Sequence, residues 1–205
     1  VLVRASDEQR GKQRLKAAVE SIGPCPAEFA EMFDTRVIPV CGDLGHKDLG
    51  LTPEVWDSLA NKIDTVFHNG ATVNYLLNYD RMRDANVLGT NEVVRLAFEG
   101  RPKTFNYVST TFIFGWAVKK VLYETDFNEN MELLDFGYSQ SKWVSEQVVM
   151  DAGRRGLTTR IFRPRTDWSS LCSTTARCSG GADVSSSSGD GHHRVLRRGH
   201  QQRRP

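Results

Sequence analysis

Short runs of β-branched and aromatic residues recur along the chain, separated by longer polar-rich stretches that carry helix-capping signals. Val1 to Val3 read as the end of a strand, and Ser6-x-x-Gln9 as a capping box opening a helix that runs to about Ile22. The run Val37 to Cys41 predicts the next strand, with Cys41 as a buried strand residue. Thr52 and Pro53 suit the N-cap and first position of a helix over Glu54 to Ile63, and Thr65 to His68 the strand after it. A long helix is expected from Tyr79 to Phe98, then a strand from Phe105 to Ser109 and an irregular, acidic segment from Gly115 to Phe136. The helix Tyr138 to Arg155 closes at Gly156, and Thr159 to Phe162 supplies a last strand. Strands alternating with helices imply an α/β domain built on a mostly parallel sheet.

Composition refines this picture unevenly. The 205 residues suffice for one domain with a sizeable core, and a net charge of +2 argues against a dedicated nucleic-acid binder. Residues 165–205 hold seven arginines, no lysine and three aspartates, a net +4 that leaves −2 on residues 1–164. That tail is rich in Ser, Gly and Arg, poor in apolar residues and without period, so a domain over 1–164 and a disordered tail over 165–205 are expected. Its basic end lacks interleaved aromatics and reads as solvated rather than nucleic-acid-binding. Cys172, Cys178, His192 and His193 fit none of the usual zinc spacings, and no metal is expected. No apolar run reaches the length of a membrane span and no signal-peptide pattern opens the chain, so a cytoplasmic protein is expected.

The chemistry concentrates in Gly137-Tyr138-Ser139-Gln140-Ser141-Lys142. Residues i and i+4 share a helical face, so a lysine ammonium can approach a phenol whose ordinary pKa of about 10 makes it a reluctant acid; a nearby cation favours the phenolate. Tyr138 and Lys142 are therefore a candidate proton-donating pair, although a solvated surface pair has the same spacing. Upstream, Thr104 to Thr111 reads as a strand ending in hydroxyls, at the end of a sheet where open α/β folds place ligands. A Ser/Thr turn bonded to its own backbone is the alternative there.

Taken together, the strand-end hydroxyls and Tyr-x-x-x-Lys resemble the Ser/Thr-Tyr-Lys triad of the extended short-chain dehydrogenase/reductases. The co-linear segments Val66 to Asn74, Ala85 to Val93, Tyr107 to Thr110 and Gly137 to Glu146 are similar to the thioester reductase domains of non-ribosomal peptide synthetases, polyketide synthases and carboxylic acid reductases. The resemblance implies a Rossmann-type, doubly wound parallel sheet, NADPH as cofactor and a phosphopantetheinylated carrier protein as the partner that brings the thioester. It also implies Thr110 as the oxyanion donor, Tyr138 as the proton donor and Lys142 as the residue that lowers the tyrosine pKa and binds the nicotinamide ribose. Another extended reductase, such as a fatty acyl-coenzyme A reductase or a sugar-nucleotide epimerase or dehydratase, is the rival within the enzymes. A non-catalytic fragment is the rival outside them.

Two departures matter. No Gly-x-x-Gly-x-x-Gly stands in the chain, so the sheet is expected to lack its first, central strand and the glycine-rich loop, leaving two unpaired edges. Beyond Pro164 the family pattern stops, so the domain is expected to be truncated at both ends and the piece inactive alone. By the same resemblance Arg4 would meet the 2′-phosphate of NADPH, with Arg14 on the next helix face a weaker candidate. Asp43, followed by Leu44, would meet the adenine, or be an ordinary turn aspartate; Asn69, Gly70 and Ala71 would bring backbone close to the cofactor, glycine leaving it room. His68 is expected to pack in its strand, and Asn86 to be structural.

Overall fold

The computed structural model describes residues 1–164 except Pro24 and 116–120, all within one unit spanning Val1–Thr166. The readings for the tail, and for the cysteines and histidines in it, lie outside the described residues.

Among the described residues, five short strands run in parallel in two separate groups. β1 (Leu2–Val3) pairs only with β2 (Val40–Cys41), and β3 (Thr65–His68) pairs with β4 (Thr104–Val108), which pairs in turn with β5 (Thr158–Phe162). Helices alternate with them: α1 (Glu8–Glu20), α2 (Ala27–Arg36), α3 (Pro53–Lys62), α4 (Tyr79–Arg83), α5 (Gly89–Phe98) and α6 (Gly137–Arg154). The architecture is an incomplete doubly wound, Rossmann-type α/β sheet.

The two groups face each other across a cavity of about 570 Å³, lined by Leu2, Leu44, Leu49, Leu59, Ile63 and Val66 among others. β1 uses the carbonyls of Val1 and Val3 to bind Val40 and Gly42, and the carbonyl of Asp64 accepts from Thr104. Parallel ladders alternate direction along each strand, so the main-chain groups of Leu2 and of Thr65 and Phe67 point to the unpaired sides. This is the pair of free edges expected from the missing glycine turn.

α5 and α6 cover one face of the three-stranded sheet, where Val66, Phe105 and Tyr107 pack with Val93, Leu96, Ala97, Val149 and Ala152. On the other face the row Phe67, Asn106, Arg160 is bare at its rim, Phe67 being 74% exposed.

Several sequence readings shift. The cap of α1 is Asp7, which accepts the amide of Arg10, while Ser6 donates to Asp7 rather than capping. α2 is an additional helix, on which the buried Phe33 packs against Phe29 one turn back. The strand expected over 37–41 is only Val40–Cys41, and Cys41 is half-buried rather than buried, because nothing pairs beyond the two-residue β1. Pro53 does open α3, but the Thr52 side chain caps nothing.

The long helix over 79–98 is interrupted by a π turn at Asp84–Leu88. The carbonyl of Asn86 is drawn off the regular ladder by the hydroxyls of Thr90 and Ser145, and its side chain grips both main-chain groups of Thr72 and the hydroxyl of Ser141. Asn86 thus ties the loop after β3 to α6, as its structural reading required.

Candidate active site

Thr110 follows the carboxyl end of β4, is buried, and accepts the amide of Phe112 as the cap of a 3-10 turn at Thr111–Phe114. Its hydroxyl therefore serves its own turn, and its nearness to the Tyr138 phenol draws that group's pKa downward. Tyr138 and Lys142 lie on the first two turns of α6, on the side facing β4. Gly137 makes that placement possible: a Cβ there would sit 2.4 Å from the carbonyl carbon of Asn78, so only glycine lets the Leu77–Tyr79 backbone close on the helix start.

That approach delivers the loop carrying Tyr75. The Tyr75 ring meets Tyr138 edge-on at 5.9 Å and also contacts Phe112 and Phe136, forming an aromatic wall around the phenol. Sequence reasoning missed this wall, because its members come from three segments with no common period; the sole signal was the aromatic content of Phe112 and Phe136 beside the triad residues.

The electrostatics differ from expectation at one point. Burial, and then Tyr75, push the Tyr138 phenol above its ordinary value, against the pull of Thr110. Lys142 does not lower it, because the ammonium turns toward the strand and donates to the carbonyl of Val108 at 2.7 Å. Burial draws Lys142 down to about 7, with Glu146 pulling the other way. Glu146 itself is fully buried and engaged by the Arg163 guanidinium, which also reaches the carbonyls of Glu124 and Asp126. His68 packs in β3 as expected, bonded to Thr90 at 2.9 Å, and burial holds its pKa down to about 3.

The residues read as cofactor contacts fall in a second place. Arg4, Asp43, Leu44, Asn69, Gly70 and Ala71 all line the cavity between the half-sheets, which Thr110, Tyr138 and Lys142 do not. Arg14 does not line it; its guanidinium donates to the carbonyl of Arg4. Asp43 behaves as a turn residue, accepting the amide of Gly45. Gly70 leaves room for a side chain of the protein itself: a Cβ there would meet Leu44 Cδ1 at 2.6 Å.

The end of β4 keeps polar groups that suit a nicotinamide ribose. The Ser109 hydroxyl is buried at the end of β4 without a partner, and Val108 takes one of the three donors of Lys142, so polar groups remain for ribose hydroxyls. For a pyrophosphate the described residues offer no glycine-rich turn: α1, the helix after β1, opens with Asp7 and Glu8, whose carboxylates repel phosphate.

The profile of an NAD-binding family described as Male sterility protein matches residues 1–175. The chain is 40% identical over 169 residues to one of the linear gramicidin synthase proteins of Brevibacillus parabrevis, covering 79% of this chain and 3% of that protein. It is 37% identical over 175 residues to the L-2-aminoadipate reductase large subunit of Candida glabrata, covering 79% of this chain and 12% of that one. The chain thus spans a small part of the curated relatives it matches. Among solved structures, the terminal R domain of the myxalamid PKS-NRPS pathway is 42% identical with a TM-score of 0.75, over 80% of this chain and 41% of that one. The reductase domain of a Mycobacterium tuberculosis nonribosomal peptide synthetase is 27% identical with a TM-score of 0.64, over 80% and 40%.

Proposed function

Because the chain belongs to the NAD-binding family described as Male sterility protein, among its thioester reductase members, we propose that it carries the catalytic face of an NADPH-dependent reductase. The substrate is an acyl or peptidyl group held as a thioester on the phosphopantetheine arm of a carrier protein, and the product is the aldehyde or, after a second hydride from a second NADPH, the alcohol. The observation that carries this reading is the meeting of Thr110, Tyr138 and Lys142 at the carboxyl end of β4.

A bound reduced nicotinamide supplies hydride to the carbonyl carbon. Thr110 donates a hydrogen bond to the carbonyl oxygen as charge develops there, and Tyr138 gives that oxygen its proton. Burial disfavours the phenolate, so the proton stays on Tyr138 until the oxyanion forms to accept it. The Lys142 ammonium, anchored on Val108, binds the ribose hydroxyls and offsets the phenolate left behind. The reduced carbon then expels the carrier thiol, freeing an aldehyde. Asn69, Gly70 and Ala71 bring backbone to the cofactor, Asp43 and Leu44 flank the adenine, and Arg4, steadied through Arg14, meets the 2′-phosphate.

The test is a chimaera in which residues 1–164 replace the matching segment of the myxalamid R domain. It should oxidise NADPH with a carrier-bound acyl thioester and release aldehyde or alcohol, read by absorbance and mass spectrometry. Arg4→Asp in it should weaken NADPH binding by roughly tenfold or more while leaving NADH binding nearly unchanged, since a carboxylate repels the 2′-phosphate alone. A folded chimaera that binds NADPH and leaves the thioester intact contradicts the reading.

A further inference from the structure

The Lys142 ammonium is an unusual guest in its surroundings. Its residue is 3% exposed, it lies among groups from α6, β3 and β4, and no described carboxylate forms an ion pair with it. Glu146, one turn along α6, is committed to Arg163, and His68 on β3 is held neutral. Tyr138 on α6 is held as the neutral phenol. Glu146 acts on the ammonium only through space; the groups in contact with it are the carbonyl of Val108 and the ring of Tyr107 on β4, whose centroid lies 4.1 Å from the Lys142 Nζ.

Tyr107 is fully buried, and its hydroxyl lies beside those of Ser145 and Thr90 without closing to a well-formed hydrogen bond. The ring is held by His68, whose centroid is 5.6 Å away, and by the packed α5 and α6.

We propose that Tyr107 is a positioning residue for Lys142: the negative face of its ring takes the place of a carboxylate, keeping the ammonium charged and aimed while occupying none of its N–H donors. The proposal refines the reductase reading of the same site but concerns this chain alone. A carboxylate would neutralise the ammonium and accept its hydrogen bonds; a ring face attracts the charge and leaves the donors directed at ribose hydroxyls. Because burial brings Lys142 down to about 7, a modest attraction decides its charge state near neutral pH.

The experiment is an NMR titration of Lys142 in the full chain, using 13Cε-labelled lysine assigned by Lys142→Arg. Tyr107→Phe keeps the ring face and should leave the midpoint within about 0.3 pH units, a small fraction of the roughly one unit that a buried cation–π contact is worth. Replacement of Tyr107 by pentafluorophenylalanine keeps the shape and inverts the ring's charge distribution, and should lower the midpoint by about one unit or more. Tyr107→Leu should do the same where it folds. Equal midpoints in the parent and the pentafluoro variant would overturn the proposal and make the ring packing alone. A Phe variant shifted as far as the pentafluoro variant would overturn it too, assigning the effect to the hydroxyl. None of these readings depends on turnover, so they stand apart from the fate of the reductase assignment.

Discussion

His68 shows how burial on this small sheet sets charge. Its folded pKa of about 3 lies below its ordinary 6.5, so between those values the unfolded chain binds more protons than the folded one. Stability is complete above about pH 6.5 and is lost as pH falls through that window. His68→Gln keeps a hydrogen-bonding group toward Thr90 and removes the titration, so urea midpoints measured from pH 7 to pH 4 should fall less steeply for the variant. Parallel slopes would place the acid sensitivity elsewhere. At this scale the sequence exposed what is local: the i, i+4 spacing of Tyr138 and Lys142, and the hydroxyls at the end of β4. It concealed what converges from afar. Tyr75 reaches Tyr138 through the packing of Gly137 on Asn78, and Lys142 turns to Val108 and Tyr107 because those groups, not the phenol, face its ammonium.

Among the elements, α6 is the organiser. Ser141 and Ser145 recur on one buried face of it, and their small size lets the π turn at Asp84–Leu88 lie against the helix and bond through Asn86. Gly137 plays the same part at its start. Gly137→Ala forces a Cβ to within 2.4 Å of main-chain carbon and should destabilise the fold by about 1–3 kcal/mol, read by chemical unfolding. A neutral result would mean that the Leu77–Tyr79 backbone can retreat. Farther along α6, Glu146 and Arg163 form a buried ion pair that also anchors the loop near Glu124 and Asp126. Removing one partner, as in Arg163→Ala, strands a buried charge and should cost about 3–5 kcal/mol, again by chemical unfolding. The strand and helix order was legible because each strand is β-branched and each break carries Gly, Pro or a capping residue. α2 was not, since Pro26 offers it no side-chain cap and its one strong signal, Phe29 and Phe33 four apart, is short. The π turn was not either, because it depends on hydroxyls from another helix.

For the whole molecule, the absent glycine motif foretold the main architectural feature, a parallel sheet divided between β1 and β3 by a cavity of about 570 Å³. The residues read as cofactor contacts line that cavity, and among the described residues no glycine-rich turn stands ready for a pyrophosphate. The chain by itself should therefore bind NADPH weakly, and a low-micromolar affinity by calorimetry would contradict this. The central claim is that Tyr138 delivers the proton in a reductive step for which Thr110 and Lys142 prepare the site. In the chimaera with the myxalamid R domain, the direct measurement is the single-turnover rate of NADPH oxidation against a carrier-bound thioester, for the parent and for Tyr138→Phe. The ring is retained, so NADPH affinity should hold within about twofold while the rate falls by about 10²- to 10⁴-fold, the range for loss of a general acid. A Phe variant that turns over at the parental rate would show that Tyr138 is not the acid.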